Sequence, residues 1–165
     1  MRRPQVDQPS DHRLIVLADM STVKVSIEDY EFLNTTPWHA LPGGYAVDRD
    51  SQRMHRIIAN RMTSGGVGEL HVDHENTDTS DNRRTNLRIA TRGENAKNRS
   101  LNKNNKSGYK GVFKYRDGRW AASIRCDTVQ YHIGYFATPQ EGAWMRDQWA
   151  IELHGDFALL NFTYE

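Results

Sequence analysis

The stretch 71–99, HVDHENTDTSDNRRTNLRIATRGENAKNR, leaves this chain the fewest choices. A short apolar run, residues 70–74, reads as a strand ending in Asp73-His74. A polar loop follows, the LRIA run at 87–90 can return as a second strand, and Thr91 opens a helix. Thr91 followed three residues later by Glu94 is a capping-box pattern, in which two orphan backbone donors are satisfied reciprocally, so Asn95 falls in the first helical turn. Oxygen and imidazole side chains from strand, loop and helix are thereby expected to point at one spot.

This segment resembles the HNH endonuclease motif, the ββα-metal fold of phage and intron-encoded homing endonucleases. Asp73-His74 matches its first element, Asn86 in NLR its second and Asn95 its third, with 13 residues from Asp73 to Asn86 and 22 from Asp73 to Asn95. The resemblance implies a hydrolase of phosphodiester bonds in double-stranded DNA. In it His74 is the base for the attacking water, Asn86 hydrogen-bonds loop backbone and holds that base in orientation, and Asp73 and Asn95 ligate a metal. Hard oxygen ligands completed by phosphate and water suit Mg²⁺ (or Mn²⁺) better than zinc. Two positions depart from the family: Glu75 stands where an apolar residue is common, and Thr77 where Gly is common, which implies a loop needing no positive φ there. One competing reading is a surface hairpin whose Asn and Asp residues only make turns. Another is a non-catalytic DNA-binding regulator that kept the fold. Asp73, His74, Asn86 and Asn95 occurring together argue against both.

At 165 residues with 37% hydrophobic content, the chain suits two small modules with modest cores. Its one cysteine, Cys126, forbids an intramolecular disulfide or a Cys-ligated zinc cluster; it is expected to pack, in a reducing cytoplasm (that of a bacterial host, if phage-encoded). No 18-residue apolar run offers a membrane span, and the start MRRPQVDQPSDHR has no apolar core for a secretory signal. The net charge of +1 conceals its distribution, since residues 83–116 hold 11 Lys/Arg against one acid, Glu94. Such an excess beside a nuclease-like motif points to DNA, with Arg83, Arg84 and Arg88 as contacts. A monomer is expected.

The rest of the chain divides around the motif. Residues 1–11 are expected to be disordered and 12–99 to form the nuclease module, with its core motif at 69–99. Within it, strands at 13–18 and 23–26 precede a helix at 27–33, capped by Ser26 and burying Ile27, Tyr30 and Leu33. Strands at 38–41 and 45–48 then flank a Pro42-Gly43-Gly44 turn, with Trp38 in the core. A helix at 54–62 presents Met54, Ile57, Ile58 and Met62 on one face. Residues 100–107 read as a basic linker. Residues 108–162 show strands at 109–115, 119–125 and 131–136, then a helix from Pro139 to about His154 with a Thr138/Glu141 capping box, a Gly155 stop, and Ala143, Ala150 and Leu153 packing on the sheet beside Trp144 and Ile151.

YKGV, WAASIR, IGYF and AIELHGDFALLNF in that region resemble the ethylene-response-factor (APETALA-two) DNA-binding domain. The resemblance implies a three-stranded sheet facing DNA with an acidic helix behind it, and Lys110, Lys114, Arg116, Arg119, Trp120 and Arg125 as contacts; sheet packing is an equal alternative for Trp120. The expected fold class is therefore α+β: a ββα-metal module followed by a small three-stranded antiparallel sheet packed on one helix.

Overall fold

The computed structural model describes residues 6–97, 101 and 104–164. The chain is a mixture of small sheets and short helices in two compact units, Met1–Thr91 and Arg92–Glu165. The division falls before the motif's helix.

In the first unit, β1 (Arg13–Val16) and β2 (Thr22–Val25) form an antiparallel hairpin. Ile15, Val23 and Val25 are buried, as alternation in a half-covered sheet requires. α1 (Ile27–Leu33) and α2 (Met54–Met62) occupy the residues their periodicity predicts. β3 (His39–Ala40) and β4 (Ala46–Val47) are short antiparallel strands around the Pro-Gly-Gly turn. β5 (His71–His74) pairs antiparallel with β7 (Leu87–Ala90), forming the expected hairpin. Between them β6 (Asp81–Asn82) leaves that hairpin and joins β2 in parallel, Lys24 beside Asp81 and Val25 beside Asn82. A parallel pair needs a long crossover, and nothing in the loop's polar sequence announces one. Trp38 sits in the core with Leu33, Met54, Ile58 and Leu87, its indole N–H donating to the Leu33 carbonyl at 2.8 Å.

Several local expectations are corrected. Ser26 makes no side-chain cap on α1; its hydroxyl instead accepts from the backbone N–H of Arg84 at 2.9 Å. Ile27 and Met62 are exposed, and the faces they were to complete bury Asp29 on α1 and His55 and Ala59 on α2. Part of the supposedly disordered start is tied down. Gln8 exchanges two hydrogen bonds with the backbone of Leu14, and Arg13 donates to the Pro9 carbonyl.

In the second unit α3 (Arg92–Lys97) comes first. Asn105 and Ser107, read as linker, belong to the folded body: Asn105 Oδ1 accepts from the Ser107 and Gly108 backbone N–H groups, and the Ser107 hydroxyl donates to the Val112 carbonyl at 2.7 Å. β8 (Val112–Lys114), β9 (Trp120–Cys126) and β10 (Val129–Phe136) make an antiparallel sheet with β9 in the middle. Gly111 is required at its entry, because a Cβ there would lie 2.5 Å from the Ser123 carbonyl oxygen and φ is +75°.

α4 (Pro139–His154) begins with the expected reciprocal capping box of Thr138 and Glu141 and stops at Gly155. Ala143 and Ala150 are fully buried, but Trp144 and Ile151 face outward. The residues of α4 buried beyond the alanines are Gly142, Arg146, Asp147 and His154. Asp147 accepts from the backbone N–H groups of Asn161 (2.6 Å) and Phe162 (3.0 Å), from the Asn161 side-chain amide and from the Tyr164 hydroxyl. The helix is thus covered by the returning C-terminal segment as well as by the sheet, and Asp147 is no surface acid.

Candidate active site

His74 ends β5 and is buried, 4% exposed. Its Nε2 lies 3.3 Å from Asn82 Oδ1. The Asn82 amide nitrogen donates to the Ser80 carbonyl, so its oxygen is the end that meets the imidazole. An amide oxygen can only accept, which places the His74 proton on Nε2 and leaves Nδ1 as the basic nitrogen. Asn82 is 1% exposed and is fixed by the β2–β6 pairing. His55 from α2 approaches the His74 ring edge-on at 5.0 Å between centroids, and Tyr45 contacts both rings at 5.3 and 5.9 Å. Burial pushes the His74 imidazole below its ordinary value against the opposing pull of the Asn82 hydrogen bond and of Asp73, Asp78 and Asp81. His55 is lowered to about 3 by burial, with His74, Arg53 and Arg56 adding to it. Both rings are therefore neutral at neutral pH.

Asn86 closes the loop between β5 and β7. Its Oδ1 accepts from the Asn76 backbone N–H at 3.0 Å, its Nδ2 donates to the Asp81 carbonyl at 2.7 Å, and its own carbonyl accepts from the Glu75 N–H. The turn so held puts Thr77 at φ +63°, contrary to the expectation that Thr there frees the loop from positive φ. The Thr77 N–H bonds back to the His74 carbonyl and the Asp78 N–H to Asn76 Oδ1; these constraints outweigh the roughly 1–2 kcal/mol cost of left-handed backbone in an L-residue.

Asp73 and His74 are adjacent but have separate partners, since a strand sends successive side chains to opposite faces. Asp73 pairs across the hairpin with Arg88, whose Nε and Nη2 both donate to Asp73 Oδ2 at 3.0 and 2.9 Å. Arg83 and Arg84, expected like Arg88 as DNA contacts, are engaged with carboxylates of the protein itself. Arg83 forms a two-pronged pair with Asp81 at 2.8 and 2.7 Å, and Arg84 does the same with Asp29 at 2.7 and 2.8 Å while also reaching Glu28. Burial works to raise the Asp29 carboxyl, but hydrogen bonds from Arg84 and Arg61 hold it below its usual range. A charge count over neighbouring residues missed these acids because they come from elsewhere in the chain. Asn95 lies on α3, in the second unit, so the first unit by itself carries Asp73, His74 and Asn86.

In the second unit the expected DNA contacts separate by face. Register partners share a side of the sheet, so Phe113, Ala121 and Tyr135 share one face and Lys114, Trp120 and Phe136 the other. Trp120 packs half-buried with Phe136 against the core of this unit, as the sheet-packing alternative has it. The Lys110 backbone is locked to the Asn161 amide at 2.6 Å. Arg116, Arg119 and Arg125 are exposed, as are Phe113, Tyr115 and Tyr135. Tyr115 and His132 pack tilted against Tyr135 with ring centroids at 4.5 and 4.6 Å, and Arg119 lies over the same ring at 4.8 Å while pairing with Asp117. The outer face is thus aromatic and basic together.

Sequence reasoning missed Asn82, Tyr45 and His55. Only His55 left a trace, four residues before Ala59 on the buried side of α2.

A family model described as HNH endonuclease matches residues 52–97. An uncharacterised HNH endonuclease of Acanthamoeba polyphaga mimivirus is 30% identical over 140 residues, covering 83% of this chain and 73% of that protein. An ethylene-responsive transcription factor of Arabidopsis thaliana is 34% identical over 101 residues, covering 58% of this chain and 62% of that protein. No solved structure matches.

Proposed function

Because the chain belongs to the HNH endonuclease family and is thus a nuclease, we propose that it hydrolyses one DNA phosphodiester at a time with His74 as general base, beside a site bound by the second unit. The observation that carries this reading is the 3.3 Å contact between His74 Nε2 and Asn82 Oδ1, which favours the tautomer with its proton on Nε2. Nδ1 can then take the proton of an attacking water without the ring turning. Burial keeps that nitrogen unprotonated at neutral pH, and the nearby carboxylates of Asp73, Asp78 and Asp81, which pull the other way, favour the imidazolium once the proton has moved. Asn86 acts through the loop it closes, keeping Asn82 and the end of β5 in place.

Among the described residues no group of three or more His, Cys, Asp and Glu side chains is arranged to hold a metal ion. The donors at hand are single hard oxygens, which fit a cation that takes one or two protein ligands and completes its shell with water and phosphate, as Mg²⁺ or Mn²⁺ does. Such a cation would stabilise charge on the phosphate and the leaving oxygen. Asp73 would hold it through its carboxylate, and the family resemblance adds the amide oxygen of Asn95. On the second unit, the exposed Arg116, Arg119 and Arg125 beside Phe113, Tyr115 and Tyr135 supply phosphate contacts and stacking surface for duplex DNA.

Incubation with supercoiled plasmid tests this reading. Nicked circles with 5′-phosphate and 3′-hydroxyl ends should form in Mg²⁺ or Mn²⁺, not in EDTA, and Asp73→Ala should abolish them. Cleavage that persists in EDTA rejects the metal requirement, and linear product arising without a nicked precursor rejects single-strand cutting.

A further inference from the structure

We propose that Arg53, at the mouth of the cleft before α2, binds a DNA backbone phosphate flanking the cut. This rests on the reading of His74 as the base acting on DNA. The arginines of the first unit are otherwise occupied, among the described residues. Arg61, Arg83, Arg84 and Arg88 pair with carboxylates, Arg13 and Arg56 donate to backbone carbonyls, and Arg49 lies by Asp50. Arg53 is exposed, and its contact is with the Tyr45 ring, 5.1 Å from guanidinium carbon to centroid. Tyr45 in turn touches His74 at 5.9 Å. Tyr45 therefore touches both an unneutralised guanidinium and the base, which places Arg53 next to the site for a phosphate flanking the cut.

The surroundings suit a polyanion. Ser51, Gln52, Arg53, Arg56, Ile57 and Asn60 line an open cleft of about 390 Å³ without a carboxylate among them. The approach to it is pre-formed, because Asp48 Oδ1 accepts from the Asp50 and Gln52 N–H groups at 2.9 and 2.8 Å and the Arg53 backbone bridges to Val47. A guanidinium lying on an aromatic face keeps its in-plane N–H donors available at its edge, the geometry that phosphate oxygens meet.

The test measures affinity of the full chain for duplex DNA against salt concentration, for wild type, Arg53→Ala, Arg53→Lys and, as a control, Arg49→Ala. Each phosphate contact contributes about 0.9 to the slope of log K against log salt. Arg53→Ala should lower the slope by that amount and weaken binding equally for unrelated sequences, with the melting temperature unchanged. Arg53→Lys should restore the slope, and Arg49→Ala should leave it alone. An unchanged slope in Arg53→Ala overturns the proposal, as does a loss that Arg53→Lys fails to restore while remaining folded. Cleavage by His74→Ala in the same series separates the two readings: near wild-type cutting overturns the base assignment, whatever the Arg53 slope shows. A normal slope in Arg53→Ala beside an inactive His74→Ala overturns the phosphate site alone.

Discussion

His74→Ala should cut DNA 10²- to 10⁴-fold more slowly than wild type, the range that positioned acid–base catalysis contributes, or about 3–5 kcal/mol in the barrier. Its DNA affinity should hardly change. The residue is buried among Tyr45, His55 and Asn82 and offers no cationic contact to a phosphate. Arg125→Ala should do the opposite. It lies exposed on the sheet of the second unit, and its loss should weaken binding by about 1–3 kcal/mol if it reads a base while leaving single-turnover cleavage intact at saturating protein. Gel-shift affinity, single-turnover rates and melting temperatures of both variants decide the matter. A His74→Ala protein that binds well and cuts at near wild-type rate would refute the catalytic assignment; one that loses stability, binding and cutting together would show His74 to be only a packing residue.

The second large effect is on folding. Asp147→Ala should destabilise the second unit by about 3–5 kcal/mol, the range for breaking a buried pair by removing one partner. Arg146, 2% exposed, would lose the carboxylate at 3.2 Å, and two backbone N–H groups of the C-terminal segment would lose their acceptor. Burial already pushes the Arg146 guanidinium below its ordinary value, with Asp147 holding it up, so the unpaired cation would be costly to keep inside. Thermal unfolding reads this as a drop of roughly 10 °C or more in the midpoint. Asp147→Asn, which keeps one acceptor oxygen, should lose less. A change of no more than a degree or two in Asp147→Ala would mean that the C-terminal segment holds without it.

Both predictions bear on how far the sequence could be read. Local order was legible where it is locally caused: the Thr138/Glu141 capping box and the spacing of Met54 and Ile58 depend on residues a few positions apart, and the β5–β7 hairpin joins two strands of one continuous motif. What stayed hidden depends on distant partners. Arg84 read as a free cation because Asp29 is 55 residues away. Asp147 read as solvated because helical position alone does not show that the chain returns to cover it. In the candidate site, the motif pointed to Asp73, His74 and Asn86, but Asn82 looked like one more turn residue in a polar loop. Its contact with His74 follows from a parallel pairing to β2 that no short-range pattern encodes. Tyr45 was invisible for the same reason, being brought to His74 only by tertiary packing.

That pairing also sets the size of the smallest working piece. The recognisable motif occupies residues 52–97, yet the strand that aims its base is zipped onto residues 24 and 25, and Arg84 is anchored on Asp29 and Ser26. A peptide excised at the motif's boundaries would leave β6 with no edge to dock on and His74 with no fixed Asn82, and its circular dichroism should be that of an unstructured chain. The signature is thus not a portable cassette: transplanted into another protein, it would bring Asp73, His74 and Asn86 but not the splint that sets them.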